Sequence, residues 1–539
     1  MTSIETHLPT DVSASTPAIA TWLTTADHKK VGRLFIGTGL FGLVVGLVLA
    51  ILVTFERINA DSYQILSVDS VPQVLAAVRL LLTFGTVVPL LLGLSVAVVP
   101  LQLGARSNAF PRLAAAGFWI WLTGLGIALA SIIGNGGPNG GNSNLVDLYL
   151  AGSIVLGLGV LMTATSIAVT VLTNRAPGMG ILRAPLFTWS SLVGSLAVIL
   201  TMPVLIGTTL YVYIDHRYAR AGFGGNTGVN QWIGWALSQP FSLLLAIPAL
   251  GIVFDVVSTI GRNRLPQRSV AFVAIGVVAV TALATVTQTT ITLPWEGAKF
   301  LDDAGTKIAD LLPFLLLNVV PVLGLLGVLG LSLLTLKSSK PVISAPLTFV
   351  VIGLLGILLG AAAHIVGLVE DAGVIGSIYE AGVYVPITFG AIAIAFGGIC
   401  YWGPKLWGRS ISDKAATPLA LLALLAIGLD SLPYYVAGFA DQPTGLVNGF
   451  AYSGPQDLWN ALTCAGFVVM LLATIAFVGL AIKSFTSGAA AGNDPWDGTT
   501  LEWATSSPPP AENFAGVIVV NSATPLSDIK SASSTGKVA

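Results

Sequence analysis

Long apolar runs separated by short polar segments dominate this chain. A helix needs about 20 apolar residues to cross a bilayer, and twelve runs reach that length. They cover residues 31–54, 76–101, 113–134, 147–174, 187–214, 235–260, 269–292, 309–336, 341–369, 380–402, 416–439 and 459–484. The pattern predicts an all-α integral membrane protein, a bundle of twelve transmembrane helices within residues 31–485. A polar segment, 1–30, precedes the bundle, and a Pro- and Ser-containing tail, 486–539, follows it.

The composition agrees with this class of protein. Hydrophobic residues make up 54% of the chain and charged residues 9%, whereas soluble domains average about 25% charged residues. Most of the surface must therefore face lipid. The net charge of -1 excludes a nucleic-acid partner, because binding to phosphates needs a basic surface.

The loops differ in their content of Lys and Arg. Most of the 24 basic residues lie in the N-terminal segment, the tail and alternate loops. Cytoplasmic loops carry the excess of Lys and Arg in membrane proteins. The distribution therefore predicts cytoplasmic N- and C-termini and a multi-pass protein of the cell membrane.

Histidine is scarce, which limits the metal chemistry that the chain can support. The four histidines are His7, His28, His216 and His364, and only His364 lies well inside an apolar run. A polar group within the bilayer is a functional candidate. His364 could form a hydrogen bond between helices or bind a haem or another small molecule.

Several short motifs follow one another along the chain in an order that is typical of one family. They are Asp27-His28-Lys29, Val99–Ala105, Pro185–Trp189, Tyr401–Arg409, Asn493–Trp496 and Pro508–Pro510. In these motifs, and in its twelve spans, the chain resembles subunit I of the haem-copper oxidases, the catalytic subunit of cytochrome c oxidase. The resemblance implies a twelve-helix bundle, a bacterial inner membrane and other membrane subunits of a respiratory-type complex as partners.

The resemblance also implies two haems and one copper, held by six histidines, since imidazole suits both iron and copper. This sequence has no histidine at the matching positions. They carry Phe84, Gln239, Thr289, Thr290, Gly382 and Tyr384. Tyrosine can bind haem iron, so Tyr384 and His364 are the two remaining candidates for a ligand. From these losses we predict that no catalytic residue, metal ligand or cofactor remains.

Three functions are compatible with these observations. The first is a structural or assembly component of a bacterial respiratory membrane complex, derived from oxidase subunit I and not catalytic by itself. The second is a working terminal oxidase subunit, which oxidises cytochrome c and reduces oxygen with atypical ligands. The third is a transporter or channel that uses the vacated core as a path.

Overall fold

The structure is a computed structural model, and it describes residues 18–58, 65–67, 70–219, 222–287, 292–293, 311–339, 341–445 and 454–534. Within these ranges, twelve helices are long and apolar enough to cross a membrane. They are α1 His28–Glu56, α2 Ser70–Gln102, α3 Pro111–Ile133, α4 Ser143–Thr173, α5 Leu186–Arg217, α6 Gly228–Ile260, α7 Arg268–Thr287, α8 Leu311–Lys337, α9 Ala345–Gly367, α10 Tyr379–Trp407, α11 Asp413–Phe439 and α12 Gln456–Ser487. The predicted twelve-helix membrane fold is confirmed.

The helix starts follow from local chemistry. Asp27 caps α1, its carboxylate accepting a hydrogen bond from the backbone N–H of Lys29, and Asn142 caps α4 in the same way. These caps satisfy donors that a helix N-terminus leaves without partners. Helix α3 begins at Pro111, whose fixed φ suits the first turn of a helix.

The helices form a closed ring around a central group. Neighbours in sequence pack together, and α12 returns to contact α1. The most hydrophobic 18-residue stretches of α2 and α10 are completely buried within the protein, and that of α6 is 89% buried. The corresponding stretch of α12 is only 33% buried. The centre of the bundle is thus built from α2, α6 and α10, and outer helices such as α12 face lipid.

Short elements interrupt or connect these helices. Two π-helical turns interrupt the spans: Thr83–Val87 lies within α2, and Leu315–Val319 lies near the start of α8. Strands β1 Gly136–Gly137 and β2 Gly140–Gly141 form a small antiparallel hairpin between α3 and α4. The span α6 includes most of the helix Gly225–Ile233, the 3-10 turn Gly234–Leu237 and the helices Phe241–Leu245 and Ile247–Ile260. The remaining short elements are the helices Ala18–Leu23 and Pro525–Ser534 and the 3-10 turns Ile181–Arg183, Glu370–Ala372 and Leu501–Ala504.

The tail folds back over the face of the bundle at which α1 begins, which we call the N-terminal face. The backbone N–H of Ala491 donates to Gly408 O, and that of Val520 donates to Pro177 O (2.9 Å). Trp496 Nε1 donates to Tyr401 O (2.9 Å). The end of the chain is therefore joined to α10 and to the loop after α4. The opposite face, where α1 ends, is called the outer face below because it lies away from the docked tail.

Candidate functional site at the centre of the bundle

Phe84 stands on α2 at the first position where the resemblance implies a haem ligand. It lies in the π-helical turn and is 2% exposed. Such single π turns inside helices occur frequently at functional sites. Trp121 Nε1 donates a hydrogen bond to Phe84 O (3.0 Å). The irregular backbone is therefore tied to α3, while the side chain at this position is an aromatic hydrocarbon without a ligand atom.

Aromatic rings fill the space between α2 and α6. The ring centroids of Phe84 and Phe241 are 6.0 Å apart, and those of Trp235 and Phe241 are 5.6 Å apart with perpendicular planes. Phe241 is fully buried. These distances fall in the range of favourable aromatic pairs. The centre of the bundle is therefore a packed aromatic cluster in this region.

Tyr384 lies on α10 beside Thr83 of α2, and its hydroxyl group forms a hydrogen bond within the protein. The hydroxyl oxygens of Tyr384 and Thr83 are 2.8 Å apart, which joins α10 to α2. The Arg79 guanidinium group lies 5.9 Å from the centroid of the Tyr384 ring. Tyr384 thus links two helices in this structure, and its phenol hydroxyl group has a hydrogen-bond partner in Thr83.

Gly382 leaves no room for a side chain at the neighbouring ligand position. A Cβ atom built there would lie 2.7 Å from a ring carbon of Tyr435 and 3.1 Å from Tyr434 Cβ. A separation under about 3 Å between such atoms is a steric clash. The two tyrosines of α11 therefore occupy the volume that an imidazole at residue 382 would need.

Gln239 and His364 line one small cavity, which the sequence alone did not bring together. Asn318 also lines this cavity, whose volume is about 10 Å³. Gln239 Oε1 accepts a hydrogen bond from the backbone N–H of Leu243 (3.0 Å), and Gln239 Nε2 has no partner among the described residues. The volume is at the lower limit for one water molecule. Thr289 and Thr290 lie outside the described residues.

A larger cavity lies between α1, α2 and α10 and reaches the loops of the outer face. Its volume is about 510 Å³. Its polar lining includes Arg57, Arg79, Glu380, Tyr384 and Tyr434, and its apolar lining comes mainly from helix side chains. The cavity therefore joins an ionic region at the outer face to the hydroxyl group between α2 and α10.

At the N-terminal face, two acidic side chains share one amide. Gln102 Nε2 donates to Asp255 Oδ2 (2.8 Å) and to Glu502 Oε1 (3.1 Å). Thr188 donates to Gln102 Oε1 (2.7 Å), which fixes the orientation of the amide. Burial raises the pKa of Glu502 above its ordinary value, and hydrogen bonds such as that from Gln102 offset only part of this effect. The tail residue Glu502 thus completes a polar network under the bundle.

Asn513 connects the tail to the start of α1, a contact that no motif predicts. Asn513 Nδ2 donates to Ala105 O (2.8 Å) and lies 2.9 Å from His28 Nε2, and Lys29 Nζ donates to Asn513 Oδ1 (3.0 Å). His28 Nδ1 donates to Val96 O (3.2 Å). This pattern satisfies both nitrogens of a neutral imidazole.

No group of three His, Cys, Asp or Glu side chains lies close enough to hold a metal ion within the described ranges. His216 Nδ1 is 2.7 Å from Asp147 Oδ1, and its Nε2 is 2.5 Å from Asn226 Oδ1. These contacts connect α4 and α5 near the outer face. His28 and His216 therefore serve as structural links in this fold.

The fold and these positions define the class of membrane protein to which the chain belongs. The family model described as "Cytochrome C and Quinol oxidase polypeptide I" matches residues 30–481. The chain belongs to this family, subunit I of the haem-copper oxidases. This confirms the resemblance seen in the motifs.

Individual relatives span almost the whole chain. Cytochrome c oxidase subunit 1 of Bacillus subtilis is 28% identical over 528 residues, covering 94% of this chain and 82% of the relative. A putative cytochrome c oxidase subunit 1-beta of Streptomyces coelicolor is 26% identical and covers 95% and 91%. A cryo-EM structure of a heme-copper terminal oxidase dimer is similar in fold, with a TM-score of 0.59, 15% identity and coverage of 88% and 85%. The chain is therefore a multi-pass membrane protein like cytochrome c oxidase subunit I, and this family works in multi-subunit membrane complexes.

The prediction that no cofactor is expected is wrong, because family membership over residues 30–481 points to haem and copper. The described side chains at the matching positions do not fit the histidine ligation that the resemblance implies. Phe84 and Gly382 have no ligand atom, Tyr384 is hydrogen-bonded to Thr83, and Gln239 carries an amide. No ligand set for these groups can therefore be assigned to the described residues.

Proposed function

We propose that this chain is a structural or assembly subunit of a respiratory-type membrane complex and does not reduce oxygen by itself. One observation carries the proposal: at the described positions that bear ligands in the resemblance, the space is filled by packed side chains. Phe84 and Phe241 form part of an aromatic cluster, and Tyr435 occupies the space beside Gly382. A function based on the scaffold requires only that this packing be stable.

The N-terminal face supports the same proposal. The tail is fixed there by Asn513, by Glu502 and by Lys405, whose Nζ donates to Asn493 O (2.9 Å) and Thr505 O (2.7 Å). A buried amine that donates to backbone carbonyls holds a segment in one conformation. A well-defined surface of this kind suits docking to other subunits. Because Lys and Arg are concentrated in the loops and segments of this face, we propose that it is cytoplasmic.

The test is purification of the full chain from its native membrane in mild detergent. One sample is analysed for co-purifying subunits and for its content of haem, iron and copper. Oxygen uptake with reduced cytochrome c is measured on the same sample. A stoichiometric membrane partner without oxygen uptake supports the structural role. Oxygen uptake in proportion to bound haem and copper contradicts it and favours the oxidase function that the names of the relatives carry. In that case, substitution of Tyr384 and His364 identifies the ligands.

A further inference from the structure

Asp430 is a carboxyl group inside the membrane-spanning region without a visible partner. It lies in the second half of α11 and is completely buried. Neither of its carboxyl oxygens has a hydrogen-bond partner among the described residues. An acid within a transmembrane helix is costly and is a functional candidate by default.

The fold makes space for this carboxyl group. A Cβ atom built at Gly466 of α12 would lie 2.3 Å from Asp430 Oδ1 and 2.7 Å from its Cγ. Only glycine at residue 466 therefore allows the carboxyl group to rest against the backbone of α12. Ser431 Oγ, on the next residue, is also buried and without a partner in the described part of the chain.

A column of polar groups extends from Asp430 towards the outer face. Tyr434 lies one helical turn further along α11, on the same side as Asp430. Its hydroxyl oxygen is 3.4 Å from Arg57 Nη1, and Arg57 Nη2 donates to Thr444 O (2.7 Å). Asn460 Nδ2 donates to Arg57 O (2.8 Å). Tyr434 and Arg57 both line the 510 Å³ cavity, so the column ends in a space that reaches the outer face.

The helices around Asp430 bring few other ionisable groups to this column. Helix α12 contributes Gly466 and Asn460, and α10 contributes Gly382, which contacts Tyr434 and Tyr435. Helix α9 contributes Gly356, whose neighbour on α11 is Ile427. Of the ionisable groups near this column, Tyr434 and Arg57 line the cavity, whereas Tyr435 does not. Arg79, Glu380 and Tyr384 complete the ionisable lining of the cavity.

We propose that Asp430 is a proton-binding site within the membrane and that it exchanges its proton with the outer face through Tyr434 and the cavity. A buried carboxylate without a counter-charge is far less stable than the neutral acid. A hard metal cation would need about six oxygen ligands, and the described surroundings provide far fewer. The proton is the ligand that this carboxyl group can hold alone.

The first test is infrared spectroscopy of the purified full chain at neutral pH, compared with Asp430→Asn. We expect a carbonyl stretching band of a protonated carboxyl group, absent in Asp430→Asn and retained in Asp457→Asn, a control at the exposed start of α12. A difference spectrum with only bands of an ionised carboxylate would overturn the proposal. Size-exclusion chromatography checks that the variants fold. Gly466→Ala provides an independent test, because its added methyl group must shift the band.

The second test measures the exchange route. In D₂O the band of the protonated carboxyl group shifts as deuterium replaces the proton. We expect Tyr434→Phe to slow this shift several-fold and Tyr435→Phe, a matched change at the next residue, to leave it unchanged. Equal rates in the two variants would refute the route through Tyr434. A hydrophobic carbodiimide, which reacts with protonated carboxyl groups, must label Asp430 in the native chain. Absence of this label at Asp430 contradicts the proton site.

Discussion

Substitution of Asn513 tests whether the tail is held to the bundle by the contacts described above. Asn513 is fully buried, with φ near 61°, in the left-handed region that favours asparagine and glycine. Asn513→Gly removes the side chain and leaves this backbone conformation accessible. Its effect therefore reports mainly on the hydrogen bonds to His28, Lys29 and Ala105.

The magnitude follows from those contacts. The neutral bond to Ala105 O contributes about 1 kcal/mol, and the bond from the charged Lys29 amine contributes about 1.5 to 3 kcal/mol. Their loss in Asn513→Gly should therefore weaken tail docking by about 3 kcal/mol, which is roughly a hundredfold change in the population of the detached tail. Asn513→Asp keeps an acceptor for Lys29 and loses the amide donors, so its effect should be smaller.

The assay is limited proteolysis of the purified protein, with cleavage within residues 488–534 followed by mass spectrometry. We expect rapid cleavage in Asn513→Gly, slower cleavage in Asn513→Asp, and the native rate in Ser506→Ala, an exposed tail position. Contacts such as Trp496 with Tyr401 remain, so the bundle itself should unfold at nearly the native temperature. Native cleavage rates in Asn513→Gly would refute this account of the tail.

Three further predictions concern pH, close packing and the central hydroxyl pair. Burial raises the pKa of Glu502 above its ordinary value of 4.5, so the folded protein keeps a proton that the unfolded chain has released. Stability therefore falls as pH rises from about 4.5 through the raised pKa. Glu502→Gln should reduce this fall of the unfolding temperature above about pH 4.5, and an unchanged slope would contradict this. A Cβ atom at Gly124 would lie 2.2 Å from the α4 backbone, whereas one at Gly126 meets nothing within 4 Å. Gly124→Ala should therefore lower the unfolding temperature by several degrees, and Gly126→Ala should leave it unchanged. Tyr384→Phe removes the partner of Thr83 and should cost about 1 kcal/mol in a denaturant titration; a neutral result would show that this hydrogen bond does not stabilise the α2–α10 contact.

The sequence predicts the helices better than their irregularities. Hydropathy locates twelve spans because crossing a bilayer imposes a length and a composition. It places the start of α2 at residue 76, whereas the helix begins at Ser70. Polar and small residues in its first turns are sheltered by protein, which a lipid-based pattern does not anticipate. The π turn at Thr83–Val87 likewise depends on tertiary packing and has no hydropathy signal.

The candidate site was only partly accessible from the sequence. That Phe84, Gln239 and Gly382 are not histidines can be read directly, because residue identity alone decides it. Tyr435 fills the space beside Gly382, and Gln239 and His364 share one cavity. Both features depend on how helices that are distant in sequence meet. Asp430 and Asn513 also escaped sequence reasoning, since neither belongs to a family motif. A single acid in the apolar run 416–439 was the one signal that could have identified Asp430.

The enclosure of α2 and α10 has a consequence for biosynthesis. The hydrogen bond between Thr83 and Tyr384 spans 301 positions of the chain, so α2 leaves the ribosome long before its partner exists. Thr86 donates to Leu81 O within α2 itself, but during that interval the Thr83 hydroxyl group must be shielded by earlier helices, by lipid headgroups or by an insertion chaperone. Release of such a shield when α10 arrives would make maturation of the bundle a late, cooperative event. Truncation before α10 should therefore leave nascent chains that are inserted in the membrane and rapidly degraded.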